Sequence, residues 1–134
     1  MRKVHVRRLA LFVAAMVFGF TAAVMVQSQG VTGQKPTDVF FTEDGLESQI
    51  TGVRLRFQDG GEARFFADHR YTYLPGDGRD ERRGTWEVYD RGQVCVRFES
   101  GAARCDTLVR SADRMVLIAA SGDRFPVRSL LSLR

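Results

Sequence analysis

Few residue types in this chain can do chemistry. His69 is the one histidine beyond the first thirty residues, and Cys95 and Cys105 are the only cysteines. As a general base, His69 would need an orienting carboxylate and a nucleophile within reach. Asp68 and Asp90 supply carboxylates, but no Gly-x-Ser-x-Gly elbow or other nucleophile signature accompanies them. His69 therefore reads first as a solvated turn residue, and a small hydrolase or isomerase centred on it is the most distant functional class. A zinc site needs several clustered His or Cys ligands. Cys95 and Cys105 are ten positions apart with no histidine near them, which suits a disulfide better than a metal. Neither a metal nor a cofactor is expected.

Two other groups of side chains are candidates for contact with a ligand or partner. The segment Asp77-Gly78-Arg79-Asp80-Glu81-Arg82-Arg83 mixes both signs. It is either a lip over a binding mouth, because rigid β scaffolds carry function on loops, or a solvated turn whose charges satisfy one another at little energy. Asp80 and Glu81 are adjacent, so on an extended chain they face opposite sides and form no carboxylate dyad. The aromatics Phe57, Phe65, Phe66, Tyr71, Tyr73, Trp86, Tyr89 and Phe98 are numerous for a small domain. Trp86 and Phe98 are expected in the core. Phe66 and Tyr89 fall on the opposite parity from the apolar rows of their strands, which marks them for a contact surface. The candidate contact set is Phe66, His69, Tyr71, Tyr73, Arg79, Arg82 and Tyr89.

The elements that position these residues are short and mostly extended. Residues 31–36 read as a polar linker. Thr42 is placed to cap a short helix over residues 43–51, with Leu46 and Ile50 on one face and Gly52 as its stop. From Val53 the period becomes two: Val53, Leu55 and Phe57 alternate with Arg54, Arg56 and Gln58. Turn signals at Asp59-Gly60-Gly61, Asp68-His69, Pro75-Gly76, Asp90-Arg91-Gly92, Glu99-Ser100-Gly101 and Ser121-Gly122-Asp123 separate further strands. Pro126 predicts that the last strand lies at an edge or begins late. The expected fold is all-β: an antiparallel meander of about eight strands over residues 37–134, closed as a small barrel or folded as a sandwich. A hairpin centred on Ser100 sets Cys95 directly opposite Cys105, close enough to bridge. The same register opposes Val94 to Asp106 and Val96 to Arg104. A bulge, or an edge that releases both polar side chains to solvent, is expected there.

The first thirty residues read as a targeting segment. Arg2, Lys3, Arg7 and Arg8 precede residues 9–26, which carry no charge, and small polar residues follow. That is the layout of a secretory signal peptide, although the apolar stretch is long enough to serve as an uncleaved membrane anchor. Either way the remainder is exported, to the periplasm or tethered at the inner membrane facing it. Those four basic residues account for the whole formal net charge of +4. The exported part balances sixteen basic against sixteen acidic residues, which removes the case for nucleic acid as a partner. Export also places the cysteines where a disulfide persists.

The run Phe66-x-Asp68-x-x-Tyr71-x-Tyr73, then Gly84-x-Trp86-x-Val88, then Val94-Cys95-x-x-Phe98 with Cys105, resembles small exported bacterial proteins of lipocalin-like or uncharacterised β-barrel type. The likeness spans roughly residues 46–110 and implies a fold and an envelope location, not a reaction. The leading functional expectation is a non-enzymatic exported binding or interaction domain of the cell envelope, with a small apolar ligand or a protein as partner. The alternative is a structural or inhibitor-like envelope protein that docks on a larger protein. An interior with empty apolar space favours the first, and a filled interior with Phe66 and Tyr89 exposed favours the second.

Overall fold

Alternation of apolar and polar residues builds nearly all of the molecule. The computed structural model describes residues 30–134, so the expected signal or anchor, including the apolar stretch 9–26, lies outside the described residues. The elements are β1 (Asp38–Phe40), α1 (Glu43–Ile50), β2 (Val53–Phe57), β3 (Glu62–Phe65), β4 (Arg70–Leu74), β5 (Arg82–Val88), β6 (Gln93–Phe98), β7 (Ala103–Ser111), β8 (Arg114–Ile118) and β9 (Arg124–Ser132). All pairings are antiparallel. Strands β2 to β9 follow one another around the wall, β9 returns to β2, and β7 pairs with β8, which closes an eight-stranded barrel.

The helix forms where its caps and apolar spacing place it. Thr42 Oγ1 accepts the Gly45 N–H at 3.1 Å, and Leu46 and Ile50 are fully buried against the strands. Because α1 runs directly into β2 and packs on β2 and β5, it plugs the end of the barrel at which β2 begins. The strands run alternately up and down, so the β2–β3, β4–β5, β6–β7 and β8–β9 turns gather at the opposite end and form a mouth.

Inward-facing Leu55, Phe65, Trp86, Val94, Val96 and Leu108 fill the barrel above the helix. On the inside of the wall Tyr71, Gly84 and Phe98 lie in one row across β4, β5 and β6. Glycine at position 84 is required by close approach, since a Cβ there would collide with the Arg97 carbonyl. In the same row the Tyr71 and Phe98 rings meet edge to face, with centroids 6.1 Å apart. Outside the barrel, Glu62 on β3 is largely covered by Arg54, Arg56 and Arg64.

Two features differ from the sequence expectation. A ninth strand, β1, lies on β7 beyond the end of β6, with Asp38 opposite Ser111 and Phe40 opposite Val109. At three residues it is too short to show a period. It covers a second apolar cluster of Val109, Val116 and Ile118 with the help of Val31. Asp38 anchors it, accepting Arg124 Nη1 at 2.6 Å, Arg124 Nη2 at 3.0 Å and the Lys35 N–H at 2.7 Å. The last strand, moreover, is neither an edge nor late: β9 starts at Arg124 and pairs on both sides. Its ladder with β8 stops at Pro126 opposite Val116, where a donor is missing, and β8 and β9 part from there toward the helix end.

Candidate functional site

Cys95 and Cys105 are bridged, with Cα atoms 4.0 Å apart, and they face outward as the predicted register requires. The hydrogen-bonded pairs Phe98–Ala102 and Gly92–Leu108 on either side make Cys95–Cys105 a non-hydrogen-bonded pair, the closer of the two antiparallel spacings. The register also sets Val94 opposite Asp106 and Val96 opposite Arg104, but neither a bulge nor a solvent-facing edge relieves it. Val94 and Val96 are buried inside, so Arg104 and Asp106 point inside too. Asp106 is 4% exposed. Polar residues on a core-facing row need not leave the interior. In a barrel with an open end they can instead line its mouth.

There they form the wall of a cavity of about 170 Å³. Phe57, Leu117, Ala119 and Phe125 supply its apolar side, and Tyr71 and Tyr73 of β4 face them. Asp59, in the β2–β3 turn, stands at the rim, with its Oδ1 accepting the Gly61 N–H at 2.8 Å. Arg104 Nε lies 2.8 Å from Asp106 Oδ2, an ion-pair distance without hydrogen-bond alignment. The guanidinium extends over the Tyr73 and Phe98 rings at 5.9 and 5.7 Å, within cation–π range. Asp106 Oδ1 is buried and has no hydrogen-bond partner in the protein.

Burial sets the acidities here. Desolvation raises the Asp106 pKa from its ordinary value, with Arg104 opposing. Burial likewise pushes the Tyr71 phenol well above its usual value, against the pull of Arg104, and raises Tyr73, to which Asp59 adds. Both phenols stay protonated at neutral pH and are available as donors.

The structure brings only part of the expected contact set to this mouth. Tyr71 and Tyr73 line the cavity, Arg82 stands opposite Tyr73 at the first position of β5, and Arg79 lies in the rim loop paired with Asp77 at 2.8 Å. Phe66, His69 and Tyr89 lie at the helix end instead. His69 adopts φ 66° in the β3–β4 turn, donates from Nδ1 to the Trp86 carbonyl at 3.0 Å and stacks on the indole at 4.7 Å. Trp86 Nε1 donates to the Phe66 carbonyl at 3.0 Å. His69 and Phe66 thus hold Trp86 in place. The Arg70 guanidinium lies over the half-buried Phe66 ring at 4.8 Å. Tyr89 is 44% exposed and donates its hydroxyl to Glu87 Oε2 at 2.9 Å.

Sequence reasoning missed Asp59, Arg104, Asp106, Leu117, Ala119 and Phe125 as site residues. The signal was present in the register that opposed Arg104 and Asp106 to two valines of a core row. Among the described residues no cluster of three or more His, Cys, Asp and Glu is placed to hold a metal ion, and no helix is long and apolar enough to cross a membrane. Comparison with protein-family models, curated proteins and solved structures found no match.

Proposed function

We propose that this chain is an exported, lipocalin-like binding protein of the cell envelope that takes a small ligand through the open mouth of its barrel and performs no chemistry on it. One observation carries this reading. The interior is packed solid near the helix, yet at the mouth it leaves about 170 Å³ walled by aromatic and aliphatic side chains, with convergent polar groups. That composition is what small-molecule sites require. Barrels of eight strands are the size at which the interior is either filled or holds one small ligand. Export rests on the basic start and apolar stretch of the sequence, with which the disulfide is compatible.

The test is native mass spectrometry of protein purified from its own envelope, with the Ala119→Phe variant beside it. A retained small mass on the native chain, lost when a phenyl group fills the cavity of a still-folded variant, is the expected result. A native chain that carries nothing and takes up nothing would overturn it. The second reading, docking on a larger protein, draws on the half-exposed Tyr89 beside the outward-facing disulfide. Its test is partner capture from the envelope with and without Tyr89→Ala.

A further inference from the structure

We propose that the ligand of the mouth cavity is a small organic cation, a protonated amine on an apolar body of about one six-membered ring, whose ammonium group lies against the Asp106 carboxylate in the cavity wall. This inference rests on reading the cavity as a ligand site and adds the chemical class. Size comes first. A cavity of about 170 Å³ compares with the roughly 150 Å³ engineered apolar cavity that accepts benzene, so one ring with a short substituent fills it.

Charge decides the substituent. The walls carry two carboxylates, Asp59 and Asp106, and one guanidinium, Arg104. Arg104 is already spent on Asp106 Oδ2 and on two aromatic faces. The Asp106 carboxylate lines the cavity and one of its oxygens has no donor in the protein, so a charged donor placed against that carboxylate gains more than a neutral one. A second guanidinium, Arg82, is exposed on the rim, where water screens it. The surrounding rings of Phe57, Tyr71, Tyr73 and Phe125 offer faces that attract cations. An anion would instead place its charge beside the Asp106 carboxylate, which opposes binding.

Four one-ring probes of similar size separate the possibilities: benzylamine, benzyl alcohol, toluene and benzoate, each titrated at millimolar concentrations into the full chain with its disulfide formed, followed by NMR shifts of Ala119 and the cavity aromatics. Benzylamine is expected to bind about tenfold more tightly than benzyl alcohol or toluene, with benzoate weakest. Asp106→Asn should abolish the amine preference while toluene binding persists. If benzyl alcohol, toluene or benzoate equals or exceeds benzylamine, or if Asp106→Asn keeps the preference, the cationic class is wrong and the cavity remains a ligand site. If none of the four shifts those resonances, the cavity reading fails and this inference with it. Should Asp106→Asn not fold, the ranking of the four probes on the unaltered chain decides alone.

Discussion

Arg104 and Asp106 lie two residues apart on one strand and face the same interior, yet their environments differ: the Arg104 side chain is 36% exposed at the mouth while that of Asp106 is 4% exposed below it. The ion pair is therefore lopsided. Removing the guanidinium with Arg104→Met leaves a buried carboxylate without its counter-charge and should cost about 2–3 kcal/mol. Removing the carboxylate with Asp106→Asn leaves a cation that can turn to water and should change stability by less than about 1 kcal/mol. Chemical denaturation of both variants at neutral pH checks the order. Equal losses would show that the pair behaves as a surface contact.

Acid response supplies a second prediction, at the opposite face of the wall. The Arg124 guanidinium beside Asp38, with the Lys35 N–H, holds the Asp38 carboxyl far below its usual range. A carboxyl with a depressed folded value stabilises the fold above its unfolded value of 3.8, and that stability drains away as pH falls from about 4 toward the folded value. Asp106 has the opposite sign: its raised folded value favours the native state slightly as it takes up a proton. Asp38→Asn should lose about 1–3 kcal/mol at pH 7 and show a flatter acid limb than the native chain. Denaturation midpoints from pH 7 to pH 2 measure this, and parallel limbs would refute it.

How much of this was legible in the sequence differs element by element. Val53, Leu55 and Phe57, the Thr42 cap and the Cys95–Cys105 register were readable because period, capping and hairpin spacing are local properties. Strand β1 was not, because three residues carry no period and it is held by Arg124, eighty-six positions away. Closure into a barrel depends on β9 meeting β2, which no turn signal encodes. The site was half legible. Tyr71 and Tyr73 stand on a readable strand, but Phe57, Ala119 and Phe125 reach the same cavity only through closure. His69, the one candidate base, has its ring packed on Trp86.

The disulfide predicts a stability effect separable from binding. It closes a loop of about eleven residues on the outer face, so its loss should cost about 2.5–3 kcal/mol in the chain-entropy account. Ladder hydrogen bonds continue on either side of it, at Phe98–Ala102 and at Gly92–Leu108. The strand register and the probe ranking at the mouth should therefore survive Cys95→Ser with Cys105→Ser. Denaturation with and without reductant measures the first part, and the benzylamine titration measures the second. A reduced chain with an unchanged midpoint would contradict the first, and a lost ranking in a folded double variant the second.

Gly84 offers the sharpest test of the interior geometry. It lies between Tyr71 and Phe98 in one row across three strands, and those two rings meet edge to face. Alanine would normally strengthen a strand position relative to glycine through the unfolded state, by a few tenths to 1 kcal/mol. Here its Cβ meets the Arg97 carbonyl, which belongs to the neighbouring backbone and cannot swing aside. Overpacking should win, and Gly84→Ala should lose about 1–3 kcal/mol. Because Gly84 pairs with Tyr71, which lines the cavity, a shift of β5 away from β6 should weaken toluene and benzylamine binding together, without the selective loss expected of Asp106→Asn. A Gly84→Ala chain as stable as the original, with unaltered Tyr71 ring shifts, would mean that β5 and β6 do not approach each other as closely as this register demands.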